Sequence, residues 1–390
     1  MKPTRSGDGA GRRTGLLVVA GEASGDLHGA RLIAELERMV PDLECFGLGG
    51  DELQRHRFDS VAHSRDIAVV GFTEVLGVIA KARRIFRDLL EETERRRPAA
   101  ALLIDSPGFN LRLARRLRKL GVPVVYYVSP QIWAWRQGRV KSIARRVCKM
   151  LVLFGFEVDF YRRHGVPVRH VGHPLVDEVP QLDHVLDEVE ERRPRIALLP
   201  GSRQNEVKSL LGAMLRALEA VQRERPIEVV LLEAPTLPRA LLDEMLAGTT
   251  LPIERVSQGR LAALARCHLA LCASGTATLE VGLIGTPMIV LYRVSFFTSL
   301  LGRALLRVPH IGLVNLVLGR EVAPELVQDD VNPERIRSVV ERLLGDRAAL
   351  VSMRRALQPL RERLGEGGAS RRAAEEVAAV LRSVAGAEAA

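Results

Sequence analysis

The sequence has few of the signals from which function is usually read. Aromatic residues make up 4% of the chain and two tryptophans occur. No RNA- or DNA-binding motif is present, which speaks against nucleic acid as a partner. No apolar run approaches the ~20 residues of a transmembrane helix. The four cysteines, Cys45, Cys148, Cys267 and Cys272, lack metal-type spacing and read as small buried apolar side chains. Neither GxGxxG with a following acid nor the GK[ST] of a Walker loop is found, so two common phosphate signatures are missing. The start, "MKPTRSGDGAGRRTG", is polar and glycine-rich, without the apolar core of a signal peptide. A cytoplasmic chain with a flexible lead-in over 1–14 is expected.

What is present is globular. The 390 residues are 47% hydrophobic and 27% charged, long enough for about two domains at ~100–200 residues each. The net charge of +10 is uneven: residues 1–172 hold 30 Lys and Arg against 19 Asp and Glu, and residues 173–390 hold 27 against 28. The excess lies in "KARRIFR", "RLARRLRK" and "RQGRVKSIARRVCK". Nucleic acid, anionic lipid, a phosphorylated substrate or plain solvated helix faces would each account for it.

The first half alternates strand and helix. "GLLVVA" (15–20) is an apolar strand, followed by a helix with Leu32, Ile33, Leu36, Met39 and Val40 on one face, stopped by Pro41. "LECFGLGG" and "AAALLID" (99–105) are further strands. The helix after the latter starts near Asn110, turns Leu113, Ala114, Leu117 and Leu120 inward, and ends at Gly121. "VPVVYYVS" has no polar alternation and reads as a strand buried on both faces. Residues 172–195 read as a linker with a short acidic helix. The alternation restarts with "RIALLP", "IEVVLLEA", "IERV", "HLALCA" and "MIVLY", and Asn332-Pro333 starts a helical tail. The pattern predicts an α/β fold: two Rossmann-like parallel-sheet domains, 15–172 and 173–345, facing across a cleft. Helices over 346–390 would pack back on the first domain or on a partner subunit.

In open parallel sheets, ligands sit beyond the carboxyl ends of the strands. Polar clusters at such ends are Gly21–Asp26, Asp105–Asn110, Pro200–Asn205 and Ser274–Glu280. In "LLPGSRQNEV", Gly201, Ser202 and Arg203 stand between strand and helix. Free amides there favour an anion, and arginine's fork suits a diphosphate; an arginine capping its own loop is the plainer reading. In "CASGTATLEVGLIGTP", Ser274, Gly275 and Thr276 precede a helix with Glu280 one turn in, positioned for ribose hydroxyls or simply as a dipole-favoured acid. Together the two loops point to one nucleotide-diphosphate site. Asp105 ends an apolar strand, as a base for a hydroxyl nucleophile or as a turn-capping aspartate. In "AGEASGD", Glu22 and Asp26 would repel a phosphate; with Ser24 they read as acceptors for sugar hydroxyls or as helix-start acids. Ser129, Trp133 and Trp135 in "YYVSPQIWAWR" read as cleft lining or core. "SFFTSLLGRALLRV" clusters Phe296, Phe297, Leu300 and Leu301 around Arg303 and Arg307, an amphipathic helix for a membrane surface or acyl chain, or a core helix.

Taken together, several motifs resemble the lipid-A-disaccharide synthase family, glycosyltransferases of the GT-B type. They are "AGEASGD" (20–26), "VVGFTEVLG" (69–77), "IDSPGFN" (104–110), "YYVSPQIWAWR" (126–136), "VGHPL" (171–175), "LLPGSR" (198–203), "ASGTATLE" (273–280) and "NLVLGRE" (315–321). They stand in family order and span most of the chain. The resemblance implies that UDP-2,3-diacylglucosamine donates its sugar to the 6-hydroxyl of 2,3-diacylglucosamine 1-phosphate. The products are the β-1′,6-linked disaccharide 1-phosphate and UDP, formed with inversion and without metal or other cofactor. It assigns Asp105 as general base, Arg203 as an essential arginine for the UDP diphosphate, and Asn315 as an essential asparagine of the cleft. It assigns Ser274, Gly275, Thr276 and Glu280 to the nucleotide loop. It further implies peripheral association with the cytoplasmic face of the inner membrane and a homodimer that exchanges C-terminal segments. Two positions depart from the family: Gly155 in "FGFE" (154–157), where LPFE is common, and Val314 in "LVNL" (313–316), where LPNL is common. Losing these prolines loosens the backbone locally and bears on acyl preference and loop geometry.

Two other readings stand beside this one. A UDP-sugar epimerase, or a GT-B transferase for a soluble sugar, would have little use for an exposed apolar face at 296–306. A basic binding module without catalysis would not need Asp105, Arg203, Glu280 and Asn315 together.

Overall fold

The computed structural model describes residues 14–66, 75–135, 137–181, 193–293 and 309–389. Phe296, Phe297, Leu300 and Leu301, the first residues of the 69–77 motif, and residues 182–192 of the expected linker with its short acidic helix (172–195) lie outside them. The chain divides into two units, Met1–Pro174 with Gly367–Ala390, and Leu175–Glu366.

The first unit carries β1 (Thr14–Ala20), α1 (Ala23–Met39), β2 (Leu43–Gly49), β3 (Phe58–His63), α2 (Val75–Arg96), β4 (Ala100–Ile104), α3 (Pro107–Lys119), β5 (Val124–Tyr127), α4 (Ile132–Trp135), α5 (Val140–Ala144), β6 (Lys149–Val152), α6 (Gly155–Arg163) and β7 (Val168–His170). The strands form one parallel sheet in the order β3-β2-β1-β4-β5-β6-β7. Leu16 to Ala20 and Ala100 to Ile104 have no exposed surface. Both faces of these strands are covered, which is why they read as unbroken apolar runs. The register pairs Ala20 with Ile104, Ile104 with Tyr127 and Tyr127 with Leu151. The chain segments after these strands therefore leave the sheet side by side. Strand order reverses between β1 and β4, where an open α/β sheet forms its crevice.

The second unit carries α7 (Leu175–Glu178), β8 (Arg195–Leu199), α8 (Gln204–Glu224), β9 (Glu228–Leu232), α9 (Arg239–Leu246), β10 (Ile253–Val256), α10 (Arg260–Ala265), β11 (Leu269–Ala273), α11 (Thr276–Ile284), β12 (Met288–Tyr292), α12 (Leu313–Leu318), β13 (Glu325–Val327), α13 (Pro333–Gly345), α14 (Arg347–Leu357) and α15 (Leu360–Leu364). Its sheet is also parallel, in the order β10-β9-β8-β11-β12-β13, and reverses between β8 and β11. Its core lies between α8 and the sheet, with Leu211, Met214, Leu218 and Val221 against Leu198, Leu231 and Leu271.

The structure differs from the sequence reading in three ways. β3 is a half-exposed edge strand, and β6, β7 and β13 have only three or four residues, too short for a periodic signal. α3 begins at Pro107, not Asn110: proline suits the first helical position, where a missing N–H costs nothing. The tail expected as one block over 346–390 divides. Asn332 does cap α13, its side chain accepting from the Arg335 amide at 2.8 Å. α14 and α15 stay in the second unit, where a Cβ on Gly282 of α11 would stand 2.6 Å from Leu360 Cδ2. The last helix, α16 (Ala369–Ala389), packs on α1 of the first unit. It buries Ala373, Ala374, Val377, Ala378 and Leu381. Arg372 Nε donates to the Val171 carbonyl at 2.9 Å, and Glu376 pairs with Lys149 at 2.8 Å. Among the described residues, no helix is long and apolar enough to cross a membrane.

Candidate active site

In the first unit, strain concentrates at the strand ends. Asp105 (φ 47°) and Ser106 (φ 43°) are consecutive left-handed residues, and Val128 after β5 is a third (φ 61°). Non-glycine residues rarely adopt this region, at a cost of about 1–3 kcal/mol each, and a β-branched residue there is a true outlier. Hydrogen bonds hold the first pair. The Asp105 amide donates to the Tyr127 carbonyl at 3.0 Å. The Asp105 carbonyl accepts from Asn110 Nδ2 at 2.9 Å and from the Tyr126 hydroxyl at 2.5 Å, and Asn110 Nδ2 also reaches the Ile104 carbonyl at 3.0 Å. Burial, and then the charge of Asp105, push the Tyr126 phenol well above its ordinary range, so it stays a donor. Asp105 is half-buried at the carboxyl end of β4, and its neighbour Ser106 meets the loop after β1, where a Cβ on Gly21 would lie 2.8 Å from Ser106 Oγ.

Behind this edge lies a buried carboxylate that the sequence reading did not single out. Glu157, on α6, is 3% exposed. It accepts from Ser129 Oγ, from Trp133 Nε1 at 3.0 Å and from the Phe154 amide at 3.2 Å. Burial raises its pKa to about 7 against the pull of these donors. Ser129 and Trp133, read from sequence as cleft lining or core, are thus buried and turned inward onto Glu157. Trp135 ends α4. Trp133 also meets Phe156 edge-on at 4.9 Å, and Phe156 stacks on Phe154 at 5.4 Å. Phe156 is the exposed apolar side chain of this cluster. Its only sequence signal was the "FGFE" string. His28 on α1 is held down to about 4 by burial and Arg31, and His173 to about 3 by burial, His28 and His170. Both are neutral at pH 7.

The opening loop resolves into distinct roles. Glu22 is the exposed N-cap residue of α1, and Ser24 is exposed in its first turn. Asp26 is 4% exposed, and its carboxylate accepts the amides of Gly50 (2.6 Å), Glu52 (2.9 Å) and Leu53 (3.3 Å). A Cβ on Gly50 would lie 2.5 Å from Asp26 Oδ2. Asp26 is therefore a structural tie between α1 and the turn after β2, and not an acceptor for sugar hydroxyls.

In the second unit the two predicted loops do meet. A pocket of about 360 Å³ at the β8/β11 reversal is lined by Gly201, Ser202, Arg203, Ser274, Gly275, Thr276 and Glu280, together with Glu206 and Arg260. Its two long helix starts differ. At α8, Glu206 reaches back so that Oε2 accepts the amides of Ser202 (3.2 Å) and Arg203 (3.4 Å). A Cβ on Gly201 (φ 117°) would fall 2.5 Å from the same oxygen. The amides of Ser202 and Arg203, at the entry to α8, are thus covered by the protein's own carboxylate, while those of Gln204 and Asn205 have no acceptor among the described residues. At α11 no side chain caps the helix, and the amides of Gly275, Thr276 and Ala277 have no acceptor among the described residues. This end remains open, with its positive dipole facing the pocket.

Two arginines flank the pocket. Arg203 is 75% exposed, with Nη1 3.7 Å from Glu206 Oε1, a weak surface pairing. Arg260, the first residue of α10, is 24% exposed; its Nη2 is 3.8 Å from Glu280 Oε2, and its buried Nε has no hydrogen-bond partner. The sequence reading missed Arg260, though "SQGRLAALA" repeats the strand–glycine–helix punctuation of the other two loops. Burial raises the pKa of Glu280; Arg260 opposes this and Glu178 adds to it.

Asn315 is not at the pocket surface. It is fully buried: Nδ2 donates to the Ala323 carbonyl and to Glu325 Oε1, both at 2.8 Å, and Oδ1 accepts the amides of Val322 (2.8 Å) and Ala323 (3.0 Å). A side-chain amide offers two donor hydrogens and two lone pairs, and all are used. Asn315 therefore has no capacity to touch a ligand, contrary to the role carried by the resemblance. No group of three His, Cys, Asp or Glu placed to hold a metal is found among the described residues.

Comparison with known proteins agrees with this layout. The family model described as "LpxB: Lipid-A-disaccharide synthetase" matches residues 16–379. A relative from Anaeromyxobacter dehalogenans (strain 2CP-C), named lipid-A-disaccharide synthase, is 47% identical over 373 residues, 94% of this chain and 97% of the relative. Among solved structures, CalG4, the calicheamicin glycosyltransferase, superposes with TM-score 0.59 at 17% identity, covering 95% of this chain and 98% of that one. UDP-GlcNAc 2-epimerase from Neisseria meningitidis, bound to UDP-GlcNAc, gives 0.62 at 12% identity, covering 93% and 99%. At such identities the likeness shows the fold alone, a GT-B pair of parallel α/β units.

Proposed function

The chain belongs to the lipid-A-disaccharide synthase family of glycosyltransferases, and from that premise we propose that it joins two diacylated glucosamines with UDP as leaving group. The donor is UDP-2,3-diacylglucosamine and the acceptor is 2,3-diacylglucosamine 1-phosphate. The acceptor's 6-oxygen attacks the donor's anomeric carbon from the face opposite the diphosphate. The C–O bond to phosphate breaks, its electron pair leaves with UDP, and the configuration inverts. Asp105 takes the proton of the hydroxyl as the new bond forms. An aspartate is a weak base at about pKa 3.9, so proton loss has to accompany attack.

The observation that carries this reading is the second unit's pocket, where an uncapped helix start and two arginines converge. The open α11 amides, Arg203 and Arg260 suit the charge that grows on the departing diphosphate, and Glu280 suits the ribose hydroxyls. In the first unit, Glu22, Ser24 and the exposed Phe156 are the groups available to an acylated sugar. The protein acts at a membrane surface. α3 presents Arg112, Arg115, Arg116, Arg118 and Lys119 outward, and none of these has a carboxylate partner among the described residues. The seam between α16 and α1 is the contact whose exchange between two chains would give the homodimer.

The test is direct. The purified protein, given both substrates in detergent over a series of acyl lengths, should release UDP in step with disaccharide. No UDP release at any length would overturn the proposal.

A further inference from the structure

We propose that Glu325, which lines no part of the pocket, is a positioning residue that sets the donor-binding wall through the backbone at Ile311–Gly312. The inference rests on the reading of that pocket as the UDP site.

Glu325 opens β13, the strand at the edge of the second unit's sheet. Its half-buried carboxylate gathers three donors. Oε2 accepts the Ile311 amide at 2.8 Å, and Oε1 accepts the Gly312 amide at 2.9 Å and Asn315 Nδ2 at 2.8 Å. Hydrogen bonds to an ionised acceptor are roughly twice as strong as neutral ones. The seat is tight: a Cβ on Gly312 would lie 3.1 Å from Glu325 Oε1 and 3.3 Å from Val290.

From this clamp two links reach the pocket loop. The Ile311 carbonyl accepts from Ser274 Oγ at 3.0 Å, which fixes the hydroxyl at the mouth of α11. The Val314 amide donates to Thr278 Oγ1 at 3.4 Å, and Thr278 Oγ1 donates in turn to the Gly275 carbonyl at 2.8 Å. The second link needs an N–H at position 314, which Val314 supplies and a proline would not. Asn315, its four valences spent, ties Glu325 to the 322–323 backbone. Replacing Asn315 would therefore act through what it holds in place and not through a contact with the nucleotide.

The experiment is calorimetric titration of UDP into the wild type, Glu325→Gln, Glu325→Asp, Ser274→Ala and the Glu325→Gln/Ser274→Ala pair, with donor KM and kcat measured alongside. Glutamine turns an NH₂ toward one of the two backbone amides, so Glu325→Gln should weaken UDP binding about tenfold and raise donor KM, with kcat nearly kept. Glu325→Asp should recover part of the loss. The pair should be no worse than Glu325→Gln alone, because both changes act through the Ile311 carbonyl. Multiplying losses, or wild-type UDP affinity in Glu325→Gln, would overturn the proposal. Should Glu325→Gln fail to fold, as read by its melting curve, the same comparison is made with Glu325→Asp, and multiplying losses overturn it there too. A wild type that does not bind UDP would bring down the donor-site reading and this proposal together; a wild type that binds UDP while the losses multiply brings down only the proposal.

Discussion

Asp105 sits where the backbone is least comfortable, and what holds it there lies up to 22 residues away along the chain, at Tyr126 and Tyr127. Asp105→Asn keeps the shape and removes the base: kcat should fall about 100- to 10,000-fold while UDP affinity measured by calorimetry stays within twofold. Arg260→Gln should do the reverse, weakening UDP several-fold at its buried, unpartnered Nε. Glu157 gives a pH signature. Its pKa is raised from 4.5 to about 7, so burial costs nothing while the group is protonated in both states. The cost appears as pH rises past the unfolded value and is complete above the folded one. On the order of 3 kcal/mol of stability should therefore be lost between about pH 4.5 and 7. This loss is Glu157's own share and is set against His28 and His173, which are kept neutral by burial and make stability rise with pH below about 6.5. Glu157→Gln should therefore show a steeper rise of stability from about pH 4.5 to 6.5 than the wild type; a wild-type-like slope in the variant would remove Glu157 as a contributor. Asp105 and Arg203 were legible because a strand end and a helix start are local patterns. The fates of Asp26 and Asn315 were not, because only the fold brings the amides of Gly50 to Leu53, or of Val322 and Ala323, to their side chains.

The two helix starts at the second unit's pocket looked alike in sequence, each a strand, a small-residue turn and a helix. They differ by one acid. Glu206 covers the Ser202 and Arg203 amides at the entry to α8, and no side chain caps the start of α11. Glu206→Gln removes a negative charge from beside the diphosphate and releases Arg203 from it. UDP affinity should rise several-fold, while the melting temperature should hardly change, because the glutamine carbonyl can keep both amides; weaker UDP binding would instead make Glu206 part of the site. Long, fully covered strands such as β1, β4 and β11 announced themselves, whereas β3, β6, β7 and β13 owe their existence to neighbours already in the sheet. The start of α3 was misplaced because Asn110, a good capping residue by type, is used within the first turn to hold the carbonyls of Ile104 and Asp105.

For the molecule as a whole, the basic half of the sequence becomes a surface. Arg146 bonds the Leu111 carbonyl of α3 at 3.1 Å, and its pKa is lowered by burial and by Arg115 and Arg145, so Arg115 of α3 lies close to Arg145 and Arg146, just after α5. Replacing Arg112, Arg115 and Arg116 by glutamate should abolish sedimentation with phosphatidylglycerol vesicles at low salt and leave turnover in detergent within about twofold. Unchanged sedimentation would assign membrane contact elsewhere. The two-unit α/β plan was readable from alternating strands and helices, and packing of the tail on the first unit was one of its two expected ends; that α16 alone returns, and to α1, was not readable, since amphipathic helices do not name their partners. That return has a consequence for how the protein is made. The second unit is continuous in sequence and is finished by Glu366, whereas the first begins synthesis earlier and lacks its last helix until the end. As domains fold while they leave the ribosome, the unit begun first is completed last, and α1 has to wait for its cover through some 300 residues of elongation.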